Sequence, residues 1–434
     1  MSELAQKGAP QPVIIPNPLQ ELHRQAEAEF QPYAQGLEIV STFGEPQAEY
    51  AAVRKGCGMM DLPQRGVLEL AGKDRHVFLN NLLTNELWSK QTRQPLPAGR
   101  WIYAFLLNLK GRIVADFNVL ELGERTLLEM DVRLVEPVRR TLDLYLFAEQ
   151  VTMTSRVGGM HEIALHGPRA LEVVRAALDD VPAEAGTAAA EERSCAIARM
   201  LGHDVVMWRD DIAAAPGLHL IVPTNAARSI WMHLLTTYGP SAPHGVLTVE
   251  PASGGGHSPA EKAYPRLRPI GWAAFNATRI EAGRPILGID FEAAPVATAA
   301  PAKAQREQSD EQPTAGILAV ESGMMPRAVS LTKGCYLGQE IVARMHARQQ
   351  VARQIVGIRM DDDALPLAGA EVFEESQNQV GIVTSSTISP VLSNAAICLA
   401  FVRKPHFAVG SAVHIPAEGK IRRGMVVEVP FVKN

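Results

Sequence analysis

The spacing of apolar residues changes once along the chain, near residue 351. Before that point, PQAEYAAVRKGCGMMDL (46–62) places apolar residues at helical spacing, whereas GVLELAG (66–72) alternates at period two. The run WIYAFLLNLKGRIVADFNVLEL (101–122) predicts a β-hairpin, because two β-rich stretches flank a Lys-Gly turn. After residue 351, six short runs are separated by Pro, Gly and Asn, which is typical of a small antiparallel barrel or sandwich. The pattern therefore predicts an α+β region followed by an all-β domain.

Three stretches interrupt this pattern. Residues 180–192 and 250–265 are rich in Gly, Pro and small residues, which predicts loops. Residues 292–314 contain no aromatic residue and only one β-branched aliphatic, so we expect a disordered Ala/Gln-rich insertion there. The predicted domains are an N-terminal extension (1–35), an α+β region (36–291), the insertion (292–315), a short connecting segment (316–350) and a C-terminal β-barrel domain (351–434).

Composition excludes several classes of function. The 434 residues can form about two or three domains, and a net charge of -5 gives no basic field for DNA binding. The four cysteines are widely separated, so we expect no metal site. The N-terminus lacks the apolar run of a signal peptide, and the longest uncharged stretch, 376–402, is broken by Ser and Pro. These features predict a cytoplasmic protein without membrane segments.

The stretch KGCYLGQE (333–340) raises the sharpest question of chemistry. Gly334 and Gly338 allow tight turns, and the following residues have the spacing of a helix. Cys335 would then precede a helix N-terminus, where the helix dipole and the ammonium of Lys333 would favour its thiolate. The alternative is that Cys335 is a small buried apolar residue, and spacing alone favours this alternative.

Two further groups could contact a ligand. Asp116 stands at an apolar position of the predicted hairpin, with Tyr103 on the other strand, and a buried carboxylate can accept a hydrogen bond from a ligand amine. Arg279 and Glu281 precede a Gly-Arg-Pro turn, where the arginine could bind an anion. The alternatives are a solvent-exposed aspartate at a strand end and a solvated ion pair, and both stay open.

Taken together, these motifs resemble the YgfZ-type folate-binding proteins, which are relatives of the aminomethyltransferase (T-protein) of the glycine cleavage system. The resemblance runs from about residue 40 to the C-terminus apart from the insertions, and KGCYLGQE is similar to the K-G-C-Y-x-G-Q-E signature of the YgfZ type. The other similar segments are AVRKGCGMMDL, FLNNLLTNEL, YAFLLNLKGRIVADF, LHGPRAL, RIEAGRPILGIDF and VGIVTSSTISPVL. The resemblance implies folate-binding α+β subdomains around a central funnel, followed by an antiparallel β-barrel.

The resemblance also implies functional residues. It places Tyr103 and Asp116 in a tetrahydrofolate site, with Arg279 facing the same cavity and Cys335 at its mouth as a reactive thiol. It adds the remaining signature residues to the binding site, namely Lys333, Tyr336, Gly338, Gln339 and Glu340.

The function implied first is a tetrahydrofolate-binding accessory protein for iron-sulfur cluster assembly or maintenance. Its partners would be iron-sulfur client enzymes, including those that modify transfer RNA. The alternative is a folate-dependent aminomethyl or methyl transferase. The T-protein carries an Asp-Phe pair where this chain has Cys335 and Tyr336, and a pterin-binding glutamate where this chain has His219, and both differences favour the accessory role.

Overall fold

The computed structural model of the protein describes residues 16–34, 36–180, 191–239, 267–295, 316–348 and 351–432. The helices are α1 Gln20–Gln25, α2 Pro46–Lys55, α3 Arg75–Leu82, α4 Val135–Asp143, α5 Ala170–Ala177, α6 Thr224–Tyr238, α7 Trp272–Glu281, α8 Met325–Ala328 and α9 Gln339–Arg348. The strands of the α+β region are β1 Glu29–Ala34, β2 Leu37–Thr42, β3 Gly58–Asp61, β4 Arg65–Ala71, β5 Trp88–Ser89, β6 Gln94–Pro95, β7 Arg100–Leu107, β8 Ile113–Glu121, β9 Arg125–Asp131, β10 Thr152–Ser155, β11 Met160–His166, β12 Cys195–Met200, β13 His203–Arg209, β14 Gly217–Pro223 and β15 Arg268–Pro269. The C-terminal strands are β16 Arg353–Met360, β17 Glu371–Phe373, β18 Gln379–Ser389, β19 Ala395–Arg403, β20 Ala412–Ala417 and β21 Lys420–Val427.

Two sheets form the body of the α+β region. One has five strands in the order β10-β4-β9-β8-β7, and the other has six in the order β12-β13-β14-β11-β3-β15. Apolar faces of α3 and α4 pack on the first sheet, and those of α5 and α6 pack on the second. A third apolar cluster, which includes Trp101 and Trp208, joins residues from both sheets. The inner faces of the two sheets are therefore brought together, and the helices bury the outer faces.

The predicted hairpin is confirmed as β7 and β8. Its strands pair antiparallel with Tyr103 opposite Asn118 and Phe105 opposite Asp116. Every residue of β8 is buried, so its side chains on both faces are shielded from water. Because successive residues of a strand point to opposite faces, Asp116 and Asn118 share one face of β8. This strand therefore carries polar groups into the interior at alternate positions.

The all-β C-terminal domain is also confirmed, and it is a closed barrel rather than a sandwich. Its strands follow the order β16-β19-β18-β17-β20-β21, and β21 pairs with β16 to close the sheet. Its interior is filled by small and branched apolar residues, among them Ile358, Cys398, Val402 and Ile415. Closure leaves no unpaired strand edge.

Buried carboxylates join the barrel to the helices. Glu281, at the end of α7, accepts hydrogen bonds from Tyr50 on α2 and from Ser389 on β18, and it pairs with Arg54. Asp290 accepts hydrogen bonds from Thr384 and Ser385 on β18. Hydrogen bonds to ionised groups are among the stronger ones, and each of these carboxylates is shared between the two regions.

Two predicted boundaries are corrected by the packing. The boundary at residue 35 divides β1 from β2, which pair with each other, so the described N-terminal residues belong to the folded region. The predicted insertion begins too early, because Ala294 is buried and its backbone N–H donates to the carbonyl of Ile113 at 2.7 Å. The N–H of Ile113 in turn donates to the carbonyl of Ile317 at 2.9 Å. Ala294 and Ile317, which lie on either side of residues 296–315, therefore both bond to the start of β8.

The rest of the insertion predicted at 292–315 lies outside the described residues, as do the predicted loop at 250–265 and most of that at 180–192. Within the described ranges, no helix combines the length and the hydropathy that crossing a membrane requires.

The segment 333–340 is packed against the β7–β8 hairpin. Gly338 has φ +78°, and a Cβ at this position would lie 2.6 Å from the carbonyl oxygen of Asn108 in the hairpin turn. Gly111, on the other side of that turn, has φ +72° and would similarly meet Ile341 of α9 at 2.9 Å. Two glycines therefore allow the segment and the turn to approach backbone to backbone.

This approach predicts the effect of adding one methyl group at Gly338. Gly338→Ala combines an unfavourable φ with a backbone clash, so we expect a loss of about 2–4 kcal/mol in the free energy of unfolding. Gly369→Ala is the matched control: Gly369 has φ +88° with no described atom within 4 Å of the added Cβ, so only the backbone term of about 1–2 kcal/mol remains. Thermal unfolding of both variants measures the difference, and equal losses would contradict the close approach.

Candidate functional site

A cavity of about 800 Å³, including the space that opens to solvent, lies between the inner faces of the two sheets. Its lining residues are Tyr33, Leu62, Gln64, Arg65, Tyr103, Asp116, Asn118, Glu129, Trp208, Asp210, Ile212, His219, Trp272, Phe275, Arg284, Pro285, Ile286, Ile289, Met324 and Arg327. Aromatic rings and charged groups thus face the same space.

Tyr103 and Asp116 form a hydrogen-bonded pair in the wall of the cavity. They are diagonal neighbours on one face of the hairpin, because Tyr103 pairs with Asn118 and Asp116 pairs with Phe105. The Tyr103 hydroxyl donates to Oδ2 of Asp116 at 2.8 Å. The other oxygen of Asp116, Oδ1, is buried and has no hydrogen-bond partner in the described part of the chain. Burial raises the pKa of Asp116, although Arg65 and the Tyr103 hydroxyl act in the opposite direction. Asp116 therefore offers a ligand one oriented and unshared acceptor.

A second carboxylate, Glu129 on β9, lies directly opposite Asn118 on β8. Its oxygens accept hydrogen bonds from the Arg65 guanidinium, including one of 2.8 Å from Nη2, and from Asn118 Nδ2 at 2.6 Å. Burial raises the pKa of Glu129, and Arg65 offsets this effect. Asn118 Oδ1 is left buried without a partner among the described residues.

The facing wall carries His219 and Trp208, which are opposite each other on β14 and β13. Their rings stack with centroids 4.1 Å apart, and His219 Nδ1 lies 2.7 Å from Oε1 of Glu162 on β11. Burial lowers the pKa of His219 to about 4, so the imidazole is neutral at physiological pH. His219 Nε2 and Trp208 Nε1 are both buried, and neither has a hydrogen-bond partner within the described ranges.

Arginines complete the cavity. Arg327 lies over the rings of Trp101 and Tyr103, at 5.1 and 5.4 Å from their centroids, and donates to Oδ2 of Asp210 at 2.6 Å. Burial disfavours the charge on Asp210, but Arg327 and Arg284 more than offset it, and the pKa of Asp210 is lowered. The pKa of Arg284 is itself lowered by burial. Both anionic and cationic groups therefore line the cavity.

The unpartnered atoms indicate what the cavity can bind. Buried polar groups are normally hydrogen-bonded, so free ones that face a cavity are candidate ligand contacts. The unpartnered atoms of the lining residues in the described structure are mostly acceptors, namely Gln64 Oε1, Asp116 Oδ1, Asn118 Oδ1 and Asp210 Oδ1, together with the donor Trp208 Nε1 and the ring nitrogen His219 Nε2. A flat heterocycle that carries several N–H groups would match these acceptors and stack on the aromatic rings.

The structure brings two of the predicted site residues, Tyr103 and Asp116, into this cavity, and it excludes Arg279. The prediction that Arg279 faces the cavity is wrong: its side chain is fully buried and forms an ion pair with Asp290. Arg284, in the Gly-Arg-Pro turn five residues later, lines the cavity instead. The C-terminal turn of α7 points Arg279 into the packed interior, whereas Arg284 follows the end of that helix.

The residues of 333–340 also lie outside the described cavity wall. The Lys333 ammonium donates to the carbonyls of Asn80, Leu83 and Asn85 at 2.6, 2.5 and 3.0 Å, and burial lowers its pKa to about 7. Tyr336 packs in the apolar cluster between the sheets. The expectation that this segment contributes lining residues is therefore corrected for Lys333, Tyr336, Gly338, Gln339 and Glu340. Lys333 and Tyr336 are buried in other contacts, and Glu340 is exposed.

Cys335 does not line the cavity, but its thiol is exposed. The alternative that Cys335 is a small buried residue is wrong. Cys57, Cys195 and Cys398 are buried, and burial raises the pKa of each of these three thiols. Of the four cysteines, Cys335 is therefore the one that solvent and other proteins can reach.

Several cavity residues have no counterpart among the predicted ones. Arg65, Asn118 and Glu129 face the cavity from β4, β8 and β9, Asp210 from the residue after β13, and Arg327 from α8. The sequence does contain a signal for some of them: polar residues stand two positions apart in otherwise apolar strands, as in Asp116 with Asn118 and Glu129 with Asp131. Such spacing places both side chains on one face, which identifies a polar face inside a buried sheet.

Known proteins are similar to this chain over most of its length. Residues 19–246 match the family described as the GCVT N-terminal domain, and residues 353–433 match the glycine cleavage T-protein C-terminal barrel domain. An aminomethyltransferase of Chloroherpeton thalassium is 24% identical over 418 residues, covering 96% of this chain and 98% of the relative. An aminomethyltransferase of Cutibacterium acnes is 25% identical over 426 residues, covering 96% and 98%.

The crystal structure of glycine cleavage system aminomethyltransferase T from Bartonella henselae superposes with a TM-score of 0.74 at 20% identity. The alignment covers 96% of this chain and 97% of that one, so it shows the same fold. Since the match to the N-terminal domain alone spans more than half of the 434 residues, the chain belongs to the glycine cleavage T-protein family.

Proposed function

We propose that this protein binds tetrahydrofolate in the cavity between the two sheets. The observation that carries the proposal is the set of buried acceptors that face the cavity without partners, with Asp116 Oδ1 at its centre. A pterin edge carries amino and ring N–H donors, which are the complement of such acceptors. The resemblance of the sequence to folate-binding proteins supports the same ligand.

Residues of the chain have distinct roles in this proposal. Asp116 accepts an N–H of the ligand, and the Tyr103 hydroxyl fixes the orientation of its carboxyl group. Because burial raises the pKa of Asp116, this carboxyl can also hold a proton near the ligand. Arg327 and Arg284 supply positive charge at the cavity wall. Tetrahydrofolate, when bound, would supply nitrogen atoms that carry a one-carbon unit.

Aminomethyl or methyl transfer is the first candidate for the reaction. It is supported by the names of the relatives, which are aminomethyltransferases aligned over nearly their full length. Orientation of a bound reactant by buried groups is the contribution that Asp116 and Tyr103 can make to such a transfer.

An accessory role in iron-sulfur cluster assembly or maintenance, as in YgfZ-type proteins, is the second candidate. It is favoured by the KGCYLGQE stretch and by the exposure of Cys335, since a thiol that meets client iron-sulfur enzymes must be accessible. It is also favoured by His219, a neutral side chain where the aminomethyltransferases carry a glutamate. Both candidates need the same folate cavity, so ligand binding is tested first.

Replacing Asp116 with alanine removes the central acceptor. Loss of a hydrogen bond to a buried carboxylate corresponds to about 1.5–3 kcal/mol, so we expect Asp116→Ala to bind tetrahydrofolate at least about tenfold more weakly in calorimetric titration. Cys335→Ala is the control, because the thiol is outside the cavity, and its affinity should equal that of the wild type. If the wild type shows no binding heat and no competition with a fluorescent folate, the proposed ligand is wrong.

The two candidate reactions differ in what they require of Cys335. For aminomethyl transfer, purified protein should form methylene-tetrahydrofolate from an aminomethylated carrier protein, and Cys335→Ala should retain this turnover while Asp116→Ala loses most of it. For the accessory role, Cys335→Ala should fail to restore client iron-sulfur activity in a strain that lacks the gene. Absence of turnover in the wild type would eliminate the first candidate, and full restoration by Cys335→Ala would remove the thiol from the second.

A further inference from the structure

A chain of three buried side chains leads from the five-stranded sheet to the cavity wall. Glu129 lies on β9, Glu162 on β11 and His219 on β14. Glu162 and His219 are diagonal neighbours on one face of the six-stranded sheet, because Glu162 pairs with Ile221 and His219 pairs with Ala164. Glu129, on the facing sheet, lies close enough to Glu162 for each carboxyl group to influence the pKa of the other.

Two opposing effects act on the charge of Glu129. Both of its oxygens accept hydrogen bonds from the Arg65 guanidinium, and Oε2 also accepts from Asn118. The guanidinium favours the ionised carboxylate, whereas burial raises the pKa of Glu129.

Glu162 has one oxygen that lacks a hydrogen-bond donor among the residues that the structure describes. Its Oε1 contacts His219 Nδ1, whereas its Oε2 is buried and finds no donor within the described structure. The charged or titratable groups that face it are Glu129 and Arg65 from the first sheet, His161 on its own strand and His219 on the next. Burial raises the pKa of Glu162 to about 7, although Arg65, a hydrogen bond with Glu129 and His161 act in the opposite direction. One proton shared between Glu162 and Glu129 would satisfy the contact between these two carboxyl groups.

This shared proton determines the tautomer of His219. Whether Glu162 donates it to Glu129 or accepts it from Glu129, Oε1 of Glu162 stays an acceptor, and His219 Nδ1 must carry the hydrogen. If Glu162 instead donated to Nδ1, two carboxyl groups would face each other with no proton between them, which is unfavourable in a buried site. The groups around His219 besides Glu162 are Asp210, Glu129, Arg65 and His166, and burial keeps the imidazole neutral by lowering its pKa. In the favoured arrangement the lone pair of Nε2 is therefore free at the cavity wall.

We infer that Glu162 is a positioning residue that holds His219 in the Nδ1–H tautomer, so that Nε2 acts as a specificity-determining acceptor for an N–H group of the ligand. Stacking on Trp208 fixes the plane of the imidazole and hence the direction of this acceptor. The inference rests on the proposed function only for the identity of the ligand. The tautomer is a property of the protein alone.

The tautomer is tested without folate. In protein labelled with ¹⁵N-histidine, the two nitrogens of His219 should show Nδ1 protonated and Nε2 unprotonated at neutral pH. Glu162→Gln should preserve this signature, because its carbonyl can accept from Nδ1 while its amide donates to Glu129. Glu162→Leu should abolish it. An imidazolium or an Nε2–H form in the wild type, or equal behaviour of the two variants, would overturn the inference.

The ligand contact is tested with tetrahydrofolate itself. His219→Phe keeps an aromatic ring against Trp208 but removes Nε2, so we expect about tenfold weaker binding. His166→Phe is the matched control, because this buried imidazole lies 5.5 Å from His219 and is not part of the cavity wall. Equal affinities of His219→Phe and the wild type would overturn the contact. A wild type that binds no tetrahydrofolate would instead refute the proposed ligand and leave the tautomer result standing.

The proton on Glu162 also predicts how stability depends on pH. Because the pKa of Glu162 is raised in the folded protein, the folded state binds more protons than the unfolded state between about pH 4.5 and 7, and stability falls as the pH rises through this window. The amide that replaces the carboxyl group in Glu162→Gln does not titrate, so the melting temperature of this variant relative to the wild type should be higher at about pH 8 than at about pH 5. A constant difference between the two proteins would contradict a protonated Glu162.

Discussion

The constraint on which this structure depends is the burial of charge between two sheets. Asp116, Glu129 and Asp210 are buried, and they face a single space with Arg65 and Arg327, which are only partly exposed. Removing ions from water costs several kcal/mol for each ion, on the order of what a well-made pair returns, so an apolar filling of the same volume would be at least as stable. The arginines compensate the carboxylates by pairing. The acceptors that stay unpaired have no stabilising role in the free protein, which is why they are interpreted as contacts for a ligand.

The same constraint operates at the joint with the barrel, where both oxygens of each buried carboxylate have partners. Asp290 takes its partners from α7 and from β18, and Glu281 takes its partners from α2 and β18. The segment RIEAGRPILGIDF contains both of these carboxylates and also Arg284 of the cavity wall. The barrel therefore holds the turn that forms one side of the cavity, although no barrel strand is among the described lining residues. Weakening the contacts of Glu281 and Asp290 would displace Arg284, although neither carboxylate lines the cavity.

Sequence reasoning succeeded where the signal is local. The period-two pattern identified the β7–β8 hairpin and the six barrel strands, and it placed Tyr103 and Asp116 in that hairpin. It could not identify contacts between residues far apart in the chain, such as Arg327 with Asp210, because these depend on how the two sheets face each other. Arg279 and Arg284 illustrate the limit most clearly. Both belong to one motif, and which of them enters the cavity is decided by where α7 ends.

The position of the 333–340 segment shows that a motif can matter for a site without lining it. The Lys333 ammonium binds the carbonyl of Asn85, and the side chain of Asn85 donates to the carbonyls of Tyr103 and Arg327 at 2.9 and 3.0 Å. Thr84, the preceding residue, bonds the backbone of β7 and the end of α8. Because these are backbone contacts, a shift of Lys333 would be transmitted to the strand that carries Tyr103. Cys335 takes no part in this network, so its exposed thiol and the rigid anchor beside it are separable features of one short stretch.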